Sequence, residues 1–134
     1  MDTVRIGVIG AGYIADYHLG GIAAAGGADV RVIMGRSRER TASVAKRYGI
    51  PATTTEWREV LERKDIDAVV ILTPDGTHEE IAVAAAEAGK AILLQKPMAR
   101  SSGECRRIIA AADRCGVDLQ VSFMHRYFEE VVYA

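Results

Sequence analysis

The sequence predicts a doubly wound α/β fold, and three observations carry that expectation. Short apolar β runs alternate with stretches of helical periodicity from one end of the chain to the other. The connections between them are short, so each helix returns the chain to begin a strand parallel to the one before. Glycine and alanine are abundant while aromatic residues make up only 6%, a composition that lets helices lie close against a sheet.

Each element has its own signal. Residues 4–9 form an apolar run that stops at Gly10, a buried strand. In 13–25, Ile14, His18, Leu19 and Ile22 fall at helical spacing until Gly26 and Gly27 end the helix. A second β run over 28–34 precedes a charged helix over 37–48, with Ser37 as its expected N-cap. Gly49, Ile50 and Pro51 break that helix, and 52–53 is expected as a short edge strand. Thr55 is expected to cap a short helix over 56–63 with Trp57, Val60 and Leu61 on its apolar side. The run 67–72 is the clearest buried strand, and Thr73-Pro74-Asp75-Gly76 turns it into a helix over 77–88 that Gly89 ends. Residues 91–94 give the next strand, 102–115 a helix stopped by Gly116, and 117–122 the last strand. No internal repeat, low-complexity segment or interior linker interrupts the alternation.

At 134 residues the chain fits one domain with a real core. A net charge of −1 gives no broad basic field for nucleic acid. No apolar run is long enough to cross a bilayer, and no charged-then-apolar leader is present. Cys105 and Cys115 lack a metal-ligand spacing and fall on roughly opposite faces of one expected helix. Two reduced cysteines fit a cytoplasmic protein.

The first functional signal is Gly10-Ala11-Gly12-Tyr13-Ile14-Ala15, a G-x-G-x-x-A turn directly after the first strand and opening the first helix. Gly10 permits the tight turn, Gly12 lets the backbone approach a pyrophosphate, and Ala15 allows close helix–strand packing. The helix start then offers backbone N–H groups, those of Tyr13 and Ile14 included, and the positive end of its dipole. This is the dinucleotide-binding fingerprint of a Rossmann fold.

The second strand indicates which dinucleotide. NAD-selective sites carry Asp or Glu at its end, to bond the ribose hydroxyls. Here the strand ends at Met34 and continues Gly35-Arg36-Ser37-Arg38, with no carboxylate to repel a 2′-phosphate. Arg36 can stack on adenine and pair with a phosphate, while Ser37 and Arg38 add a hydroxyl and a second cation. NADP is the expected cofactor, with NAD as the alternative. The same residues also read as a solvated basic helix start.

Two later turns leave the carboxyl ends of their strands, where open α/β sheets bind ligands. One is Thr73-Pro74-Asp75-Gly76-Thr77-His78; the other is Gln95-Lys96-Pro97-Met98-Ala99. Lys96 is expected at the rim of the cofactor crevice, with Pro97 biasing it toward an extended backbone.

Together these residues resemble the glucose–fructose oxidoreductase, inositol dehydrogenase and rhizopine catabolism family (Gfo/Idh/MocA) along essentially the whole chain. The glycine turn with His18 shortly after it is similar to the family's opening. Thr73, Pro74 and His78 resemble its T-P-N-x-x-H stretch, Ala88-Gly89-Lys90 its A-G-K, and Lys96-Pro97 the end of its E-K-P motif. The resemblance implies that Lys96 lies near the nicotinamide and the reacting oxygen of a substrate. A lysine there can hydrogen-bond that oxygen, stabilise negative charge as hydride moves, and relay a proton. Two residues depart from the pattern. Gln95 replaces the usual glutamate beside Lys96, and Asp75 stands where asparagine is common, although either can bond the turn backbone. His78 is read either as touching the cofactor or as capping and packing, whereas His18 and Trp57 are read as packing residues.

The resemblance also implies a second, α+β domain holding most substrate contacts and an acid/base histidine. The chain is divided accordingly into a dinucleotide-binding domain over 1–122 and, over 123–134, the start of a connection to a substrate domain that the chain lacks. His125 or Arg126 is expected to approach substrate or, more simply, to pack between domains. The implied activity is an NAD(P)-dependent dehydrogenase or reductase of a sugar, inositol or related polyol, homo-oligomeric at full length. By itself the chain is expected to bind dinucleotide with little or no catalysis. A non-catalytic dinucleotide-binding sensor, or a scaffold with no ligand, are the alternatives.

Overall fold

The computed structural model describes residues 2–123. Six parallel strands form one sheet: β1 (Val4–Ile9), β2 (Ala28–Met34), β3 (Ala52–Thr54), β4 (Ala68–Ile71), β5 (Ala91–Gln95) and β6 (Leu119–Ser122). Their order across the sheet is β3-β2-β1-β4-β5-β6. Five helices connect them: α1 (Tyr13–Ala25), α2 (Arg38–Tyr48), α3 (Trp57–Glu62), α4 (His78–Glu87) and α5 (Ser102–Cys115). This is the expected doubly wound α/β fold.

The sheet has a core on each face. Ala15 and Leu19 of α1 and Val44 and Ala45 of α2 pack over Val8, Ile33 and Val70. On the opposite face Val60 and Leu61 of α3, Ile81 of α4 and Ile108 of α5 pack over Ile9, Val69, Ile71 and Leu94. Val8, Val69, Ile71 and Leu94 are 0% exposed, and each such side chain stabilises the fold by about 1.5–3 kcal/mol. The central strands point residues of one apolar run to both faces, which is why they read as continuous rather than alternating hydrophobic segments.

Most element ends fall where expected, and the departures have local causes. Ser37 caps α2, its Oγ accepting from the Arg40 N–H at 3.3 Å. Thr55 does not cap α3; the N-cap position is Glu56, and Thr54 Oγ1 accepts from the Glu56 N–H at 3.1 Å. A 3-10 turn over Asp75–Thr77 precedes α4, because the Thr77 hydroxyl engages Pro74 O at 2.7 Å and Thr73 Oγ1 at 2.8 Å. The last strand begins at Leu119 rather than Val117, since the Val117 N–H still donates to Ala112 O at the end of α5.

Two polar ties hold the amino ends of the central strands. Asp67 accepts from the Arg5 backbone N–H at 2.9 Å and from its guanidinium at 3.0 and 2.7 Å, fastening β1 to the start of β4. The Arg5 side chain and its backbone N–H hold the Asp67 carboxyl well below the usual range, at about 2. Lys90 is buried, and its ammonium donates to Arg63 O at 2.7 Å and Ile66 O at 2.8 Å, closing the loop between α3 and β4. No helix among the described residues is long and apolar enough to cross a membrane. Both cysteines are free.

Two measurements test these ties. Lys90→Met strands two carbonyls and is expected to lower stability by about 1–3 kcal/mol in chemical denaturation. For Asp67, the folded pKa lies below the ordinary 3.8, so its contribution is complete above that value and lost as pH falls toward about 2. Thermal melts of Asp67→Asn should therefore lie below those of the unsubstituted chain near neutrality, with the gap closing over that acid window.

Candidate functional site

The crevice lies where the strand order reverses, between the carboxyl ends of β1 and β4. Gly10 sits there at φ +119°, and a Cβ on it would come within 2.9 Å of the Leu72 carbonyl carbon and oxygen. Only glycine meets both conditions. Gly12 is different: a Cβ there would meet nothing within 4 Å, and the residue is exposed at the N-cap of α1. The turn is thus an open cradle above a helix start, and it fits a diphosphate approached by backbone N–H groups. Ala15 is 0% exposed and packs α1 against the sheet, whereas Tyr13 is 81% exposed and Ile14 is half-buried against the core.

At the end of β2, Arg36, Ser37 and Arg38 are exposed. Neither arginine takes part in a salt bridge among the described residues. Gly35, expected beside the cofactor, also has a packing role. It is buried, its N–H donates to Thr54 O at 3.1 Å, and a Cβ on it would collide with Thr41 Oγ1 and stand 2.7 Å from Ala11 Cβ. Thr41 is 1% exposed and its hydroxyl donates to Ser37 O at 2.6 Å. Gly35 supplies clearance for the turn beside it.

The loops after β4 and β5 meet through His78. Its Nδ1 stands 3.0 Å from Pro97 O and 3.2 Å from Met98 O, and its Nε2 stands 2.8 Å from Thr73 O. The ring is 1% exposed, which favours the capping-and-packing reading of His78 over contact with the cofactor. Lys96, by contrast, is exposed at the end of β5, and its peptide bond to Pro97 is cis. Gln95 is buried, and its Oε1 accepts from the Lys96 N–H at 3.0 Å. An amide oxygen therefore holds the backbone of the lysine without a charge beside it.

Thr73 is half-buried, and Pro74 and Asp75 are exposed at the mouth of the first loop. The hydroxyl that closes this turn is Thr77's rather than a group on Asp75. His18 is buried with Nε2 unpartnered, and burial pushes its pKa down; this fits the packing role, as does the half-buried Trp57. His125 and Arg126 lie outside the described residues. Among those described, no three His, Cys, Asp or Glu residues gather into a metal site.

Sequence reasoning missed Arg40. Its Nε–H donates to Ala11 O in the glycine turn at 2.8 Å. It also lines a half-open cleft of about 310 Å³ between α1 and α2, shared with Asp16, Ser37, Glu39, Ser43, Val44 and Arg47. Across that cleft the Tyr48 hydroxyl and the Arg47 guanidinium hold the Asp16 carboxyl below its ordinary range. A basic residue early in a helix carries no mark of the carbonyl it will reach.

A family model described as an oxidoreductase family with an NAD-binding Rossmann fold matches residues 4–123. The chain belongs to the Gfo/Idh/MocA oxidoreductase family. It is 34% identical, over its whole length, to levoglucosan dehydrogenase of Pseudarthrobacter phenanthrenivorans. It is 39% identical over 93% of its length to inositol 2-dehydrogenase 3 of Saccharopolyspora erythraea. The chain spans 36% and 37% of the lengths of these two relatives. Its fold superposes on levoglucosan dehydrogenase in complex with NADH with a TM-score of 0.88 at 33% identity, covering 93% of this chain and 36% of that one. A 3-ketoreductase from Actinomadura kijaniata, in complex with TDP-benzene and NADP, gives 0.92 at 29% identity, covering 98% of this chain and 41% of that one. This Gfo/Idh/MocA chain is thus an NAD(P)-binding Rossmann domain.

Two substitutions test the packing around the site. Gly35→Ala is expected to cost about 1–3 kcal/mol by overpacking, and adding Thr41→Ala should recover part of that loss in denaturant melts. His78→Leu leaves loop carbonyls without a donor and should cost about 1–3 kcal/mol, with faster amide exchange in both loops.

Proposed function

We propose that this domain serves an NAD(P)-dependent dehydrogenase or reductase of a sugar, inositol or related polyol, with Lys96 at the reacting oxygen. The observation that carries this reading is the placement of one exposed lysine on the carboxyl end of β5, its backbone fixed by buried Gln95 and its loop braced by His78. The named relatives are dehydrogenases of such compounds.

In this reading the Gly12 cradle and the free N–H groups at the start of α1 take the diphosphate, with Tyr13, Ile14 and Ala15 forming the first helical turn under it. Thr73, Pro74 and Asp75 line the opposite wall of the crevice. Bound nicotinamide supplies the hydride acceptor or donor. In the oxidising direction the carbinol carbon gives up hydride to the nicotinamide while its hydroxyl loses a proton; the exposed Lys96 side chain bonds that oxygen, stabilises the charge that develops on it and relays the proton to solvent. The full-length protein carries its remaining substrate contacts outside this chain and assembles as a homo-oligomer in the cytoplasm.

NADP is the preferred dinucleotide in this reading. The end of β2 holds no carboxylate, and Arg36 and Arg38 stand exposed and without ion-pair partners among the described residues. A 2′-phosphate meets two cations and the Ser37 hydroxyl there.

Calorimetric titration of the chain with NADP and NAD is expected to show tighter binding of NADP. Arg36→Ala should remove roughly tenfold of that preference, the worth of one charged hydrogen bond; an unchanged ratio would assign Arg36 to the solvated surface. In the full-length protein, Lys96→Ala should lower turnover of a polyol substrate by about 10²–10³-fold.

A further inference from the structure

The glycine turn is held from behind by one side chain. Arg40 Nε–H donates to Ala11 O at 2.8 Å, and its own backbone N–H is gripped by Ser37 Oγ at 3.3 Å in the cap of α2. Ala11 C=O and Gly12 N–H belong to the same planar trans peptide, in which oxygen and hydrogen point in opposite directions. A donor that pins the oxygen on one side therefore aims the hydrogen out on the other. An ideal Cβ on Gly12 meets nothing within 4 Å, and no protein acceptor takes the Gly12 N–H among the described residues. Ala11 itself is 7% exposed, so the solvent does little to replace a lost donor at its carbonyl.

We infer that Arg40 is a positioning residue for the dinucleotide diphosphate: it fixes the Ala11–Gly12 peptide so that its N–H faces the bound phosphate. The inference rests on the dinucleotide reading of the turn. It assigns Arg40 no contact with the ligand, and it separates Arg40 from Arg36 and Arg38, whose proposed contacts are at the 2′-phosphate. With the peptide free to rotate, a carbonyl oxygen can face the diphosphate, where it repels.

The chain itself suffices for the test, with affinities for NADP, NAD and 2′-AMP measured by calorimetry. Arg40→Met retains length but no donor, and it is expected to weaken NADP and NAD by the same factor, about tenfold. Because 2′-AMP has no diphosphate, its affinity should not change. In Arg40→Gln the amide nitrogen occupies the position of the arginine Nε along the side chain, so this variant should regain most of the loss without a positive charge. Equal weakening of 2′-AMP, unequal weakening of the two dinucleotides, or a glutamine variant as weak as methionine would each overturn the inference, making Arg40 a cation of the adenosine end. Unchanged dinucleotide affinity in Arg40→Met overturns it as well, while leaving the reading of the turn intact. A chain that binds neither dinucleotide before substitution overturns both.

Discussion

The whole site depends on how closely β1 and β4 run at their carboxyl ends. At Gly10 the backbone passes so near the Leu72 carbonyl that a single added carbon would stand 2.9 Å from it. The opposite ends of the same two strands are drawn together by the Arg5–Asp67 pair. Beyond the close approach at Gly10 one strand's continuation turns into α1 on one face of the sheet and the other's toward α4 on the opposite face. The crevice is the gap where those two paths separate, and Gly12, Thr73 and Lys96 occupy chain segments that leave the sheet at the same end.

The fold was legible because every element carried a local mark. Glycines followed four of the five helices, Ser37 preceded the second, and the buried strands were dense in Val, Ile and Leu. Boundaries slipped where a bond crossed an expected end, as the Thr77 hydroxyl makes before α4, Thr54 Oγ1 before α3 and the Val117 N–H before β6. The glycine turn and Lys96-Pro97 were legible for another reason: their chemistry depends on residue type at a fixed place after a strand, which spacing alone reveals.

What stayed hidden has one physical form. Lys90, His78 and Arg40 all place side-chain nitrogens against backbone carbonyls far along the chain. A carbonyl is the same in every residue, so nothing at residues 11, 63, 73 or 97 announces that it will be an acceptor. Gly35 was hidden in a related way. Its missing side chain matters because Thr41, six positions on, fills the space with a hydroxyl pinned to Ser37. Sequence reasoning finds the groups that face a ligand more readily than the groups that hold those groups still.

The brace at His78 has a bearing on how such a domain diverges. The ring nitrogens face only main-chain oxygens, at Thr73, Pro97 and Met98, and the contact takes no account of which side chains those positions carry. Substitution at the rim can therefore change what the two loops present to a ligand while the distance between them stays set. A fold organised in this way can pass through many substrate preferences by exchanging surface residues, without rebuilding the frame that holds them.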